Sequence, residues 1–168
     1  CDLTIGKDKW SEGWPIAEKA VMSAIKIMSR AGDLADEDSD SFEQVIQSFK
    51  LPKNDEDEIQ KRRDEIRNCT LVAAEVPFET ATMALELMEL LPELAKKGNS
   101  NAASDVGVAG LLASAACKGA LFNVQINLDS LPDDMGADLR SKIPGIQERS
   151  RLISREIMDE VRAIIGSD

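Results

Sequence analysis

The sequence contains no histidine and no tyrosine, and aromatic residues make up only 4% of its 168 residues. The absence of histidine excludes Ser-His-Asp and Cys-His nucleophilic machinery and the common histidine-containing zinc sites. Acid–base chemistry must therefore come from Asp, Glu, Lys or Cys side chains. A core poor in aromatic residues must be built from Ala, Leu, Ile, Val and Met, which favours helices over sheets.

Basic residues are also scarce, with 20 against 31 acidic residues and a net charge of -11. This balance argues against non-specific nucleic-acid binding, whose affinity comes largely from neutralising phosphates. No run of 18 apolar residues and no signal peptide is visible, so we expect a soluble protein without a membrane partner.

The three cysteines, Cys1, Cys69 and Cys117, have no paired spacing. Cys69 and Cys117 lie in apolar helical segments, where we predict that both are small buried side chains. An odd number of unpaired cysteines favours a reducing compartment, and we predict a cytoplasmic protein.

The length and an apolar content of 43% fit one domain over residues 1–168, with no repeat or interdomain linker. We predict an all-α, up-and-down helical bundle of five or six helices. The first begins at about Pro15 and ends near Lys50, with a break near Gly32 as an alternative. The second follows a loop at residues 51–54 and carries four acids, residues 55–58, in its first turn, and Pro77 starts or kinks a third.

The second half of the chain begins with a polar loop at residues 98–105. A helix rich in Gly and Ala follows, which we place centrally in the bundle, with a subunit contact as a further possibility. A turn at residues 129–132 precedes a last helix or pair of helices, broken near Pro144 and ending around Ile165.

Asp38 is the strongest candidate for acid–base chemistry. Apolar residues recur every seven positions in the first helix, in two series: Val21, Met28, Ala35, Phe42 and Phe49, and Ala24, Ala31 and Val45 with Asp38. Of the four acids in residues 36–40, only Asp38 falls on this stripe. A buried carboxyl group is costly unless paired, and desolvation raises the pKa of a carboxyl group, which suits a general acid. The alternatives are an aspartate paired with Arg or Lys, or a helix whose phase is shifted by one residue.

Several polar residues are weaker candidates. Ser104 or Asp105 can cap the following helix, and a helix N-terminus flanked by Asn99 can instead hold a polar or anionic ligand group. Asn123 and Asn127 are four residues apart in an apolar stretch, where their amides either satisfy loop backbone or line a polar pocket.

The basic run at residues 61–63 is the last candidate. It is expected to form ion pairs with Asp57 and Glu58 on a solvated helix face, and it can alternatively supply a cation for an acidic ligand tail.

Six segments occur together in the order found in one known family: LTIGK at 3–7, LADEDSDSF at 34–42, LPKN at 51–54, VP at 76–77, GNSNAASDVGVA at 98–109 and FNVQINL at 122–128. The sequence resembles the family of formimidoyltetrahydrofolate cyclodeaminase and bacterial methenyltetrahydrofolate cyclohydrolase over nearly all of its length. The resemblance implies an all-α bundle that forms a homodimer, with a folate site near the subunit interface. It places the proton donor on Asp38.

The same resemblance implies the substrate and its contacts. We expect conversion of 5-formimidoyltetrahydrofolate to 5,10-methenyltetrahydrofolate and ammonia, with methenyltetrahydrofolate hydrolysis as the alternative reaction. Neither reaction needs a metal or redox cofactor. Lys53 or Arg62 is expected to meet the glutamate tail of the folate, which can be polyglutamylated, and the predicted pocket residues are Asn99, Ser104, Asp105, Asn123 and Asn127. A non-catalytic helical scaffold is the alternative from another class.

The sequence departs from the family pattern at its start. Family members begin with a Pro-Gly-Gly-Gly-Ser segment ahead of the stretch that starts here at Cys1, and Lys9-Trp10 stands where the family has Lys-Tyr. We therefore expect the chain to be truncated, and to bind folate poorly if the Gly-rich turn contributes to the site.

Overall fold

The computed structural model describes residues 1–166, and within this range it contains helices and no strand. Five α-helices account for most of it: α1 (Trp14–Ser48), α2 (Glu56–Met88), α3 (Leu91–Lys97), α4 (Ala103–Asp129) and α5 (Ala137–Ile165). Two 3₁₀ turns, Asp8–Gly13 and Ser100–Ala102, precede α1 and α4. The predicted all-α class is confirmed.

Successive long helices run in opposite directions. Arg62, near the start of α2, donates to the carbonyl oxygen of Phe49 just beyond the end of α1 (3.1 Å), whereas Glu79 in α2 pairs with Arg30 in α1. α4 starts near the end of α2, and its last turns lie beside the middle of α2. The path is therefore up and down, and all five helices contribute side chains to one apolar core.

α4 packs closely against α5 through its small residues. A Cβ atom at Gly110 would lie 2.8 Å from Cγ2 of Ile157, and one at Gly107 would lie 3.2 Å from Cγ1 of Val161. Gly107 and Gly110 therefore serve contact between two helices of one chain, and the prediction of a central helix is confirmed.

The same helix is apolar over an unusual length. Among the described residues, one helical stretch, Ser100–Asp129, is long enough and apolar enough to cross a membrane, judged by length and composition alone. Its mean hydropathy is 1.4. The core helix of a water-soluble bundle meets the same criterion, and α4 packs between α2 and α5 here.

Pro77 lies inside α2, which continues through it, so the prediction that a third helix starts there is wrong. Proline lacks the N–H that would bond to the carbonyl four residues back, at Ala73. Nδ2 of Asn127 in α4 donates to that oxygen instead, at 2.7 Å. The other predicted breaks are also absent, since α1 continues through Gly32 and α5 through Pro144.

The buried face of α1 differs from the predicted stripe. Its buried residues include Ala20, Leu34, Ser41 and Ser48, whereas Met28 of the predicted stripe is 74% exposed. The heptad spacing is correct, but the buried face is shifted by one position, as in the second alternative given for Asp38. Cys69 is likewise only partly buried, whereas Cys117 is fully buried as predicted.

Candidate active site

A groove runs between α1 and α4, with α2 forming its floor. Its volume is about 670 Å³, within the range of roughly 300–1,000 Å³ that is usual for small-molecule sites. Sixteen residues line it: Ile27, Ala31, Leu34, Ala35 and Asp38 from α1; Pro77, Thr80, Met83, Ala84 and Leu87 from α2; and Ala109, Leu112, Ala113, Ala116, Ala120 and Asn123 from α4.

Alanine is the main reason that the groove exists. Seven of its lining residues are alanines, distributed over all three helices. Longer side chains at other contacts keep the helix axes apart. The methyl groups of the alanines are too short to fill the space that remains between the helices. α4 thus uses its small residues on two faces, with glycines against α5 and alanines along the groove.

The polar side chains lie towards one end of the groove. Both α1 and α4 run opposite to α2, so the last lining residues of α1 and α4, Asp38 and Asn123, share an end with the first of α2, Pro77. Thr80 follows one helical turn further along α2. The opposite end is lined by aliphatic side chains. The groove can therefore hold a ligand that has a polar, reacting part and an apolar part.

Asp38 is the one ionisable side chain among the lining residues, all of which belong to the described part of the chain. It is exposed to solvent in this single chain, so the prediction of a buried position is wrong. The reason is the shifted phase of α1, which buries Leu34 and Ser41 and leaves Asp38 beside the groove. Within residues 1–166 no Arg, Lys or other donor engages its carboxylate, which does not fit the alternative of a structural ion pair.

Arg30, Glu37 and Glu79 form a network beside the groove, which we call the Arg30 clamp. Nε and Nη2 of Arg30 donate to the two carboxylate oxygens of Glu79 at 2.7 and 2.9 Å. Nη1 and Nη2 donate to the two oxygens of Glu37, the latter at 2.8 Å. These bonds hold the pKa of Glu37 and the pKa of Glu79 below their usual range and raise the pKa of Arg30. The clamp joins α1 to α2.

Two of the predicted pocket residues have structural partners. The amide of Asn127 bonds to Ala73 and does not line the groove. The amide of Asn99 donates to the carbonyl oxygen of Leu3 (2.8 Å), and its backbone N–H donates to Oγ1 of the buried Thr4 (3.0 Å). Asn99 thereby attaches the N-terminal segment to the loop before α4.

Ser104 and Asp105 are exposed in the first turn of α4 and lie outside the groove. Neither caps the helix, because the N-cap residue is Ala102 and no side chain bonds there. Asp105 and Asn123 are eighteen residues apart, which corresponds to about 27 Å along a helix. The structure therefore places Ser104 and Asp105 beyond the end of the groove that is opposite to Asp38.

The two predicted cations also lie outside the groove. Arg62 donates to the carbonyl oxygen of Phe49 and lies over its ring at 5.6 Å, so it caps α1 instead of pairing with Asp57 or Glu58. Lys53 is exposed in the loop between α1 and α2. Both are beyond the Asp38 end, since Phe49 lies eleven residues past Asp38, or roughly 16 Å along a helix.

Of the sixteen lining residues, sequence reasoning predicts Asp38 and Asn123 as site residues, and it misses Thr80 and Pro77 near the Asp38 end. Thr80 has the pattern of an ordinary helical threonine, and its hydroxyl makes only a 3.4 Å bond to the carbonyl oxygen of Val76. Pro77 does give a signal, but its usual interpretation is a helix boundary. The signal that identifies Pro77 as a residue inside a helix is the long amphipathic pattern that continues on both sides of it. A second signal is the presence of asparagines on another apolar helix, where they can bond to the carbonyl oxygen that the proline leaves free.

Comparisons with known proteins agree on the family, and the relatives are named for two different reactions. The family described as formiminotransferase-cyclodeaminase matches residues 1–143. A methenyltetrahydrofolate cyclohydrolase from Methylorubrum extorquens is 29% identical over 167 residues, which are 99% of this chain and 80% of that protein. A formimidoyltransferase-cyclodeaminase from Sus scrofa is 30% identical over 131 residues, and the match covers 77% of this chain but 24% of the pig protein.

A solved structure resembles nearly the whole chain. The crystal structure of formiminotetrahydrofolate cyclodeaminase from Thermotoga maritima has a TM-score of 0.76 to this chain at 25% sequence identity. The match covers 98% of this chain and 77% of the other. The likeness therefore includes all five helices that form the groove and its support.

Proposed function

The chain belongs to the formiminotransferase-cyclodeaminase family and is an enzyme of folate one-carbon chemistry, and we propose that it converts 5-formimidoyltetrahydrofolate to 5,10-methenyltetrahydrofolate and ammonia. The observation that carries this proposal is the unpaired Asp38 carboxylate in an otherwise uncharged, ligand-sized groove. An acid that no protein cation holds is free to exchange a proton with a ligand.

Asp38 acts in this proposal as the proton donor. N10 of the folate attacks the formimino carbon carried on N5, and the proton of N10 passes to the former imine nitrogen. A further proton from Asp38 turns that nitrogen into a leaving ammonia, and the N5–C–N10 bridge becomes the methenyl cation. A proton taken up from solution then restores the acid form of Asp38, so that the reaction consumes one proton and releases ammonia. Holding the two folate nitrogens in reacting geometry supplies the rest of the rate enhancement.

The groove supports an orientation for the substrate. Asn123 and Thr80 can hydrogen-bond to the polar pterin near Asp38, while the aliphatic end accepts the aminobenzoyl ring. Lys53 and Arg62 lie beyond the Asp38 end, so they would meet a glutamate tail only in a chain that turns back from the groove. The reaction as proposed uses folate as its substrate and no metal or redox cofactor.

Methenyltetrahydrofolate cyclohydrolase is the second candidate activity. The relative from M. extorquens carries that name and matches nearly the whole of this chain. In this reaction water adds to the methenyl carbon and the bond to N5 opens, which needs one acid–base group in the same place. Both reactions share the bicyclic methenyl species.

We also propose that the active form is a homodimer. α1 and α4 carry large apolar side chains that are more than half exposed, among them Met22, Ile25 and Met28 on α1 and Leu112, Phe122 and Ile126 on α4. Exposed apolar surface of this extent is typical of an interface. Because Phe122 is adjacent in the chain to Asn123, which lines the Asp38 end of the groove, a second copy seated here would cover Asp38. Asn99, Ser104 and Asp105, which are remote from Asp38 within one chain, could reach the ligand from that second copy.

A cytoplasmic location is part of the same proposal. The free thiols of Cys1 and Cys69 are accessible, and a reducing compartment keeps such thiols unoxidised.

The test supplies the purified enzyme separately with 5-formimidoyltetrahydrofolate and with 5,10-methenyltetrahydrofolate and follows methenyl absorbance. A rise with the first substrate supports the cyclodeaminase, and a fall with the second above the uncatalysed rate supports the cyclohydrolase. Turnover of neither substrate would contradict both activities.

Replacing Asp38 tests the catalytic assignment. Asp38→Asn should keep the fold and lose roughly two or more orders of magnitude in turnover, the usual scale for general acid catalysis. Asp36→Asn is the matched control, because Asp36 is a neighbouring exposed acid that does not line the groove. Activity of Asp38→Asn within a few-fold of the parent would contradict the role of Asp38 and favour a non-catalytic use of the bundle.

A further inference from the structure

The Arg30 clamp lies beside the groove, and each of its residues is next in the chain to a residue that lines it. Arg30 precedes the groove residue Ala31 in the chain, and the two glutamates of the clamp precede Asp38 and Thr80. The clamp therefore bonds together the stretches of α1 and α2 that carry the proposed acid, Asp38, and the groove residue Thr80. Its own side chains do not line the groove.

Apolar packing does little to fix α1 at this level. Its buried residues are Ile16, Ala17 and Ala20 at one end and Leu34 and beyond at the other, and none of residues 21–33 is buried. Arg30 lies within this stretch. Within one chain few apolar contacts fix this stretch, so the bonds of the clamp contribute to setting the position of α1 against α2.

We propose that Arg30 is a positioning residue for the reaction, which holds Asp38 in place by fixing the distance and rotation of α1 relative to α2. The inference rests on the proposed function and adds a residue outside the groove to it. A guanidinium group is planar, and here it meets both carboxylates through two oxygens each. Such an arrangement restricts orientation as well as distance.

The clamp contributes more to geometry than to stability. The side chains of Arg30, Glu37 and Glu79 are 29%, 45% and 45% exposed, and ion pairs at such positions stabilise a fold little. Catalysis is more sensitive, because a displacement of about 1 Å can reduce the rate roughly 100-fold. Loss of the clamp should therefore lower turnover far more than it lowers the melting temperature.

Arg30→Gln tests this proposal against Arg149→Gln. Arg149 in α5 also forms an exposed ion pair, with Glu89 just beyond the end of α2 at 3.0 Å, but away from the groove. For Arg30→Gln we expect kcat to fall about 10–100-fold with KM changed less than about threefold, the pattern of a misplaced catalytic group. Arg149→Gln should keep both constants, and the two variants should melt within a few degrees of each other. Arg30→Lys keeps the positive charge but loses the planar guanidinium group that bonds to both oxygens of each carboxylate. Its kcat should therefore remain close to that of Arg30→Gln.

Hydrogen exchange supplies a readout that does not depend on turnover. Amides of residues 21–33 should exchange faster in Arg30→Gln than in the parent, and at the parental rate in Arg149→Gln. Parental kcat in Arg30→Gln, or full recovery of kcat in Arg30→Lys, would overturn the positioning role. Unchanged exchange in residues 21–33 would overturn the clamp itself. If the parent turns over neither of the two folate substrates, the proposed function and the catalytic part of this inference are both overturned. Hydrogen exchange in residues 21–33 still decides whether the clamp holds α1.

Discussion

At the scale of single residues, one carbonyl group explains how a proline fits inside a helix that forms the floor of the groove. Pro77 leaves the carbonyl oxygen of Ala73 without its helical donor, and the amide of Asn127 supplies one. Asn127→Ala should lower the free energy of unfolding by about 1–3 kcal/mol, the cost of an unsatisfied buried acceptor. Urea denaturation of the parent and the variant measures this difference.

The control for that prediction is the same substitution in a Pro77→Ala background. Replacing the proline restores a backbone N–H at this position, so Asn127→Ala should then cost clearly less than it does beside Pro77. An equal cost in both backgrounds would show that Asn127 stabilises the protein by some other contact. Such a double-mutant cycle isolates the coupling between the two positions.

At the scale of helices, the effect of replacing a glycine depends on whether that glycine packs against a neighbouring helix. A methyl group at Gly110 would meet Ile157, which is fully buried and cannot move aside, whereas one at Gly32 in α1 would meet nothing within 4 Å. Gly110→Ala should be destabilising, because overpacking costs about 1–3 kcal/mol and exceeds the gain in helix propensity. Gly32→Ala should be stabilising by up to about 1 kcal/mol. Thermal unfolding checks both, and a stabilised Gly110→Ala would contradict the close packing of α4 on α5.

The ion pairs of the Arg30 clamp should make the stability of the protein depend on pH. The pKa values of Glu37 and Glu79 are lowered in the folded protein by hydrogen bonds from Arg30. A carboxyl group whose pKa is lower in the folded protein stabilises the fold at pH values above its unfolded pKa of about 4.3. This stabilisation is lost as the pH falls through the folded pKa. The stability difference between the parent and Arg30→Gln should therefore be largest at neutral pH and vanish in strong acid. Urea unfolding at neutral, mildly acidic and strongly acidic pH measures it, and a difference that grew towards low pH would contradict the assignment.

The helices are easier to predict than the face that each of them buries. The seven-residue spacing in α1 is correct, but Met28 and Phe42 carry as strong an apolar signal as the buried Leu34. Hydrophobicity cannot choose between adjacent phases when a helix is apolar on more than one side. Local propensity predicts breaks at Pro77 and Gly32 because it disfavours both residues in helices, whereas the partner that accommodates Pro77 lies on another helix, far along the chain.

At the scale of the whole molecule, the candidate site is only partly predictable from the sequence. Asp38 and Asn123 are identified by their positions in apolar patterns, and they share the groove. Asn127 is a predicted ligand contact because an amide in an apolar context needs some partner, and Asn99 because it lies beside a helix N-terminus. The sequence does not say whether the partner of either amide is a ligand or a backbone carbonyl. The groove itself arises from alanines on three helices, which have no local signature of a site.

The exposed apolar faces of α1 and α4 give the prediction for the assembly. If a second copy covers them, Phe122→Asp places a charge in an apolar contact, and two copies that are both acidic should then dissociate. Sedimentation should show a dimer for the parent and a concentration-dependent shift to monomer for Phe122→Asp. Leu152→Asp on α5, another exposed apolar position, should leave the dimer intact. A parent that stays monomeric at every concentration would contradict the interface, and Asp38 would then remain open to solvent during turnover.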